Sequence, residues 1–323
     1  MDTLKDNGLY TSFKAFKSGY IDVTDGHRLY YELSGNPHGI PLVYLHGGPG
    51  AGGSPQHRRY FNPDLYFIVQ FDQRGAGKSM PQACTQANTT GDLVNDIEIL
   101  RHHFKVDQWV VAGGSWGATL ALAYGERHPK SCLGFILRGI FLGTAPEINW
   151  FMDGMKKVFP EAHNEFSAHM NGFLGDALFQ AYYDALFNPA PNIHLSAARS
   201  WARYELRCSK LVPETSNTNH PGFDSYALPL ARLEAHYFKH HFFLKTDQLM
   251  NNIDAISHLP AIIVQGRYDM VCPFESAFKL HRAWPHSQLS VVGDAGHCGS
   301  EPGICRVLVK AGQKMATLFV QND

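Results

Sequence analysis

The chain has 323 residues, 44% hydrophobic and 18% charged, with a formal net charge of −1. That composition excludes disorder on a large scale, and the near-neutral charge argues against binding to nucleic acid or to an anionic membrane. No run approaches the ~18 consecutive apolar residues of a bilayer span, and a chain this long is expected to hold a main domain with a second one inserted. The opening residues Met1-Asp2-Thr3-Leu4-Lys5-Asp6 have no cationic segment followed by an apolar run, so no secretory leader is expected. Six cysteines (84, 132, 208, 272, 298 and 305) lack any Cys-x-x-Cys spacing and read as free thiols of a cytoplasmic protein.

In chain order, Ile21 to Val23 and Arg28 to Leu33 read as a leading hairpin across Asp25-Gly26. Apolar runs follow at Leu42–Leu45, Tyr66–Phe71, Trp109–Ala112 and Phe135–Leu137, with helical periods at Asp92–His103 and Ala118–Arg127 between them. Continuous apolar strands separated by helices are the signature of a parallel sheet buried on both faces. From about Leu142 to about Asp247 the pattern becomes helical and rich in aromatics, punctuated by loops at Asn188-Pro189-Ala190-Pro191 and Pro213 to Pro221. Strand patterns resume at Ala261–Gln265 and Leu289–Val292. The expected fold is α/β, with a mostly parallel central sheet. Residues 1–142 and 248–323 form its core, and residues 143–247 form a helical cap over the C-terminal strand ends, where open α/β sheets bind ligands.

Gly113-Gly114-Ser115-Trp116-Gly117 matches G-x-S-x-G, with a strand before it and a helix after it. A serine hydroxyl is a weak nucleophile and needs a base, itself oriented by a third group. On this fold the order is serine, then an acid, then histidine. Asp269 and His297 each lie just past a strand end and fill the two roles, with Asp294 a competing orienter in the loop of His297 itself. Backbone donors for an oxyanion are expected at Trp116 N–H and in the loop His46-Gly47-Gly48-Pro49-Gly50, at Gly48.

Two other signals fail. Gly75-Ala76-Gly77-Lys78-Ser79 resembles the end of a phosphate-binding loop, but Asp72 stands where the leading glycine would be. His236, His240 and His241 lack a His-Glu-x-x-His pattern or a third ligand, so no metal is expected.

Together these segments resemble the proline iminopeptidase (prolyl aminopeptidase) family of the α/β-hydrolases. The resemblance extends to Asp72 to Ser79, Arg138-Gly139-Ile140-Phe141, Gly266-Arg267-Tyr268-Asp269 and Gly296-His297. It implies that Glu205, in Trp201 to Glu205, and Glu234, in Ala231 to Phe238, grip the α-ammonium of a peptide with a free N-terminus. It further implies that Phe141, Phe238 and Cys272 line an apolar pocket for the proline ring. Two helical glutamates are ordinarily solvated. Yet an N-terminal amine, with a reference pKa of about 7.7–8.0, is largely cationic at neutral pH and suits such a pair. The implied activity is a cofactor-free exopeptidase that releases one residue through an acyl-enzyme. The rivals are a carboxylesterase or amidase acting on small acyl compounds and, in another class, a non-catalytic binding protein on the same scaffold.

Overall fold

A computed structural model describes residues 8–212, 218, 220 and 222–319. The opening segment Met1 to Asp6 lies outside the described residues, as does most of Pro213 to Pro221.

Eight strands form one sheet in the order β1-β2-β4-β3-β5-β6-β7-β8. The leading hairpin is β1 (Lys17–Asp22) and β2 (Arg28–Gly35), paired antiparallel, and β2 also runs antiparallel to β4 (Tyr66–Phe71). The other pairings are parallel and join β3 (Ile40–Leu45), β4, β5 (Trp109–Ser115), β6 (Cys132–Ile140), β7 (Ala261–Gly266) and β8 (Ser287–Val292). The two-residue strand period divides the apolar runs between two cores. Val43, Leu45, Val69 and Val111 pack to one side, while Leu42, Tyr44, Ile68 and Val110 pack to the other. Both faces are covered, which is why β7 is buried along its whole length.

Helix α1 (Thr90–His103) starts two residues before the apolar period does. Thr89 and Asp92 form a reciprocal capping box, and the cap rather than the first apolar residue sets the start. Helix α2 (Trp116–Arg127) follows β5 without a loop and is buried almost throughout, its small residues Gly117, Ala118, Ala121 and Ala123 allowing close approach to the sheet.

Between β6 and β7 the described residues form five longer helices: α3 (Ala145–Met152), α4 (Pro160–His169), α5 (Gly175–Leu186), α6 (Pro191–Cys208) and α7 (Phe223–Lys239). Pro191, read from sequence as loop, is instead the first residue of α6, where its missing N–H costs nothing. These helices share an aromatic core in which Phe166 stacks on Tyr182 at 4.2 Å and on Tyr204 at 4.4 Å. A short α8 (Gln248–Asn251) precedes β7, α9 (Phe274–Ala283) connects β7 to β8, and α10 (Pro302–Ala316) packs on the second core. Among the described residues no helix is long and apolar enough to cross a membrane.

Candidate active site

Ser115 sits where β5 turns into α2, with φ 59° and ψ −129°. That region is disfavoured for a residue with a Cβ and is tolerated where the surroundings over-determine it. The surroundings are two glycines. A Cβ on Gly113 would stand 2.5 Å from the Gly117 carbonyl oxygen, and one on Gly117 would collide with the Leu45 carbonyl oxygen. Gly117→Ala is therefore expected to destabilise the fold by about 1–3 kcal/mol, the usual range for overpacking, read as a lowered urea midpoint.

Trp116 opens α2, so its backbone N–H has no acceptor within the helix. Its indole is fixed by donation from Nε1 to Gln73 Oε1 at 2.8 Å, and Gln73 in turn bonds His46 at the start of the glycine loop. That loop passes close over the turn, with Gly47 beside Gly114 and Ser115. Gly48 adopts φ +108°, which glycine adopts at low cost, and lines the same cavity as Ser115.

His297 Nδ1 lies 2.9 Å from Asp269 Oδ2 and 3.1 Å from Oδ1. Asp269 is buried, and its oxygens also accept from Cys272 N–H at 2.7 Å and Gln265 Nε2 at 3.0 Å. Asp294 is exposed, which leaves Asp269 as the group that orients the imidazole. The loop of His297 is tied to the end of α6, because His297 N–H and Cys298 N–H both donate to Ser209 O at 2.8 Å. On its other side Arg138 Nη1 donates to His297 O at 2.7 Å and stands 3.4 Å from Nε2. Among the described residues the Ser115 hydroxyl makes no hydrogen bond to His297. It lies within reach of the Cys272 thiol. Catalytic bonds are commonly loose without substrate and tighten in the complex.

Glu205, on α6, and Glu234, on α7, reach the same cavity as Ser115. Glu234 is 3% exposed, and its Oε2 accepts from Trp201 Nε1 at 2.6 Å. Part of Glu205 is accessible, but its Oε2 is buried without a hydrogen-bond partner. Burial, followed by the negative charge of Glu205 within hydrogen-bonding reach, pushes the Glu234 carboxyl well above the usual range. Burial also raises Glu205, against a pull downward from His297. An orphaned acceptor beside a second carboxyl is a site suited to a cation with several N–H donors.

The rest of that cavity is apolar, lined by Phe141, Phe151, Phe238, Val271 and Cys272, with Glu147 at its margin. Burial and the neighbouring Asp269 push the Cys272 thiol far up, so it is present as the neutral thiol. Only about 20 Å³ is open, room for a water or so, and side chains must yield before a substrate enters. A larger cleft of about 1020 Å³ lies at the base of α3 and shares only Glu147 with the cavity of Ser115. Asp269, Cys272 and His297 place ligand atoms within 4.8 Å of one another, but Asp269 and His297 are already committed to each other.

Sequence reasoning missed Glu147, Phe151 and Val271 as lining residues, and Arg138 as a partner of His297. Glu147 carried a readable signal, the Thr144-x-x-Glu147 capping box, whose carboxylate also takes Ser276 Oγ–H at 2.6 Å and so ties α3 to α9. Phe151 and Val271 carried none beyond their apolarity.

Comparison with known proteins agrees with this geometry. Residues 40–303 match the family model of the α/β hydrolase fold. The proline iminopeptidase of Arabidopsis thaliana is 48% identical over 96% of this chain and 83% of its own. That of Neisseria gonorrhoeae is 44% identical over 94% of this chain and 97% of its own. Among solved structures, a putative aryl esterase from Burkholderia cenocepacia superposes with a TM-score of 0.63 at 17% identity, covering 94% of this chain and 100% of that one. A bromoperoxidase from Bacillus anthracis gives 0.63 at 18% identity, covering 93% and 100%. Those two likenesses speak for the fold alone. With sequence identity near half over almost its full length, the chain belongs to the proline iminopeptidase family of the α/β-hydrolases.

Proposed function

We propose that the protein is a serine aminopeptidase that releases the first residue of a peptide, preferably proline, through an acyl-enzyme. The observation that carries this reading is the convergence of Ser115, Glu205 and Glu234 on one tight, largely apolar cavity. In this reading residues 143–247 are a cap that brings the two glutamates to the core formed by 1–142 and 248–323. Six unpaired thiols fit a reducing compartment, so we place the protein in the cytosol.

The α-ammonium docks between Glu205 and Glu234, and the proline ring fills the space bounded by Phe141, Phe151, Phe238 and Cys272. The Ser115 hydroxyl turns toward His297, which takes its proton while Asp269 holds the imidazole in register. Ser115 Oγ attacks the first carbonyl carbon, and the oxyanion accepts from Gly48 and Trp116 N–H. His297 then protonates the leaving amine, and water, deprotonated by the same imidazole, resolves the acyl-enzyme. The ammonium anchor sits in the cavity of the nucleophile itself, so only one residue fits between them. The cut is exopeptidic.

The paired carboxyls also set a pH dependence. Burial and mutual repulsion raise the pair, so a proton bound there competes with an arriving ammonium. KM for free-amine substrates is therefore expected to fall as pH rises through the raised range of the pair, then to climb above about pH 8 as the substrate amine loses its own proton. An ester without an amine should show no such trough in KM. Stability runs the other way. A carboxyl raised in the folded state binds protons more tightly there than when unfolded, so its contribution is full below the unfolded pKa of about 4.5 and is lost as pH rises through the folded value. The Tm of the ligand-free protein is expected to decline over that window, and Glu234→Gln to flatten the decline.

An aminoacyl-β-naphthylamide panel on the purified protein tests the reading. Proline is expected to lead alanine, with bulky residues far behind. A flat profile, or a preference for simple esters over every free-amine amide, would instead favour a general carboxylesterase.

A further inference from the structure

Where the chain returns from α7 to the core, three successive residues, His241, Phe242 and Phe243, have φ of 47°, 56° and 55°. Left-handed backbone is disfavoured for residues bearing a Cβ, and a run of three persists only where packing dictates it. The packing is that of the middle residue. Phe242 is 0% exposed, and its carbonyl accepts from the hydroxyl of Thr90 at the first turn of α1.

Its ring meets the parts of the site that come from separate elements. The centroids lie 4.9 Å from Phe141 after β6, 5.5 Å from Phe238 on α7 and 5.6 Å from the indole of Trp116 at the start of α2. These separations and the mixed stacked and edge-on angles are those of favourable aromatic contacts. The outgoing connection to the inserted helices closes on the same ring, since a Cβ on Gly143 would stand 3.3 Å from Phe242 Cγ and Cδ2. Both crossings between the sheet and the inserted helices thus meet at one side chain. Phe242 is absent from the cavity lining, so it acts on substrate through its neighbours.

From this geometry we infer that Phe242 is the positioning residue that sets the size of the pocket for the substrate's first residue, by holding Phe141 and Phe238 at fixed separation behind Trp116. The inference rests on the aminopeptidase reading above. A left-handed turn is the means of aiming the ring inward at the crossing. The ring backs both the wall supplied by the sheet and the wall supplied by α7, and fills the space into which the two phenylalanines would otherwise retreat. A pocket held narrow favours the compact five-membered ring of proline over longer side chains.

The test compares proline, alanine and leucine β-naphthylamides on the native protein, Phe242→Leu and Thr90→Val. Rates are normalised to the Ser115 titrated by a fluorophosphonate, so loss of folded protein does not enter. Phe242→Leu is expected to lower the proline-to-leucine ratio of kcat/KM by about tenfold or more, within the range that pocket contacts of this size command. The change should come mainly from a higher KM for proline and a lower one for leucine. Thr90→Val, which frees the Phe242 carbonyl while keeping the ring, is expected to move the ratio the same way by less, and serves alone if Phe242→Leu does not fold. A uniform loss on all three substrates, with the ratio unchanged, would overturn the inference and leave Phe242 a core residue only. If the native protein itself shows no proline preference, the aminopeptidase reading fails, and the inference falls with it.

Discussion

Ser115→Ala is expected to lower kcat on proline β-naphthylamide about a million-fold, the scale seen when the nucleophile of a serine hydrolase is removed. The size follows from the site. The neighbouring candidate nucleophile, Cys272, is held as a neutral buried thiol by burial and by Asp269, so it cannot take over the attack. The remaining oxyanion donors and the carboxyl pair continue to bind substrate, so affinity for a non-hydrolysed proline analogue should stay near that of the native protein. Labelling by a fluorophosphonate should vanish with the hydroxyl. Native protein that resists such labelling would favour a binding protein on an α/β-hydrolase scaffold.

The second large effect belongs to the paired carboxyls. A charge-assisted hydrogen bond contributes roughly 1.5–3 kcal/mol, or about tenfold to a hundredfold in binding. Glu205→Gln and Glu234→Gln are each expected to cost that much in kcat/KM on free-amine substrates. The double change should cost about thirtyfold to a thousandfold, less than the product of the two, because both groups hold one ammonium and are coupled. Glu234→Gln keeps an oxygen for Trp201 Nε1 to donate to, so the α6–α7 contact survives and the effect reports charge. N-acetylated substrates offer no ammonium and should be hydrolysed equally poorly by native and variant proteins. Equal rates of native and variant proteins on N-acetylated substrates, beside unequal rates on free-amine ones, are the signature that separates recognition from general damage.

The sheet was readable because its strands are continuous apolar runs and the chain alternates them with helical periods. Register, covering faces and the parallel sense then follow from two-sided burial. Helix boundaries were less readable where chemistry other than apolar spacing fixes them. Thr89 caps α1 two residues early, Pro191 starts α6 where it looked like loop, and α7 continues through Pro229. The strand–turn–helix at Ser115 and the pairing of Asp269 with His297 were legible from motif and chain order, since local turn geometry is encoded locally. The glutamates were not legible that way. Their meaning is a long-range convergence of α6 and α7, and only the resemblance to a family pointed to Glu205 and Glu234. Phe151, Val271 and Phe242 look in the sequence like any core residue. What distinguishes Phe242 is its left-handed backbone and its place at both crossings, neither of which has a sequence period.

In the proposed function one cavity holds both the acyl-transfer machinery and an anchor for a free amino terminus. Proline β-naphthylamide and its N-acetyl form, given to the native protein side by side, test it most directly. Hydrolysis of the free-amine compound is expected to be at least about a hundredfold faster in kcat/KM, the worth of the buried carboxyl pair. Equal rates on the two compounds would contradict it and leave Glu205 and Glu234 with a structural role alone.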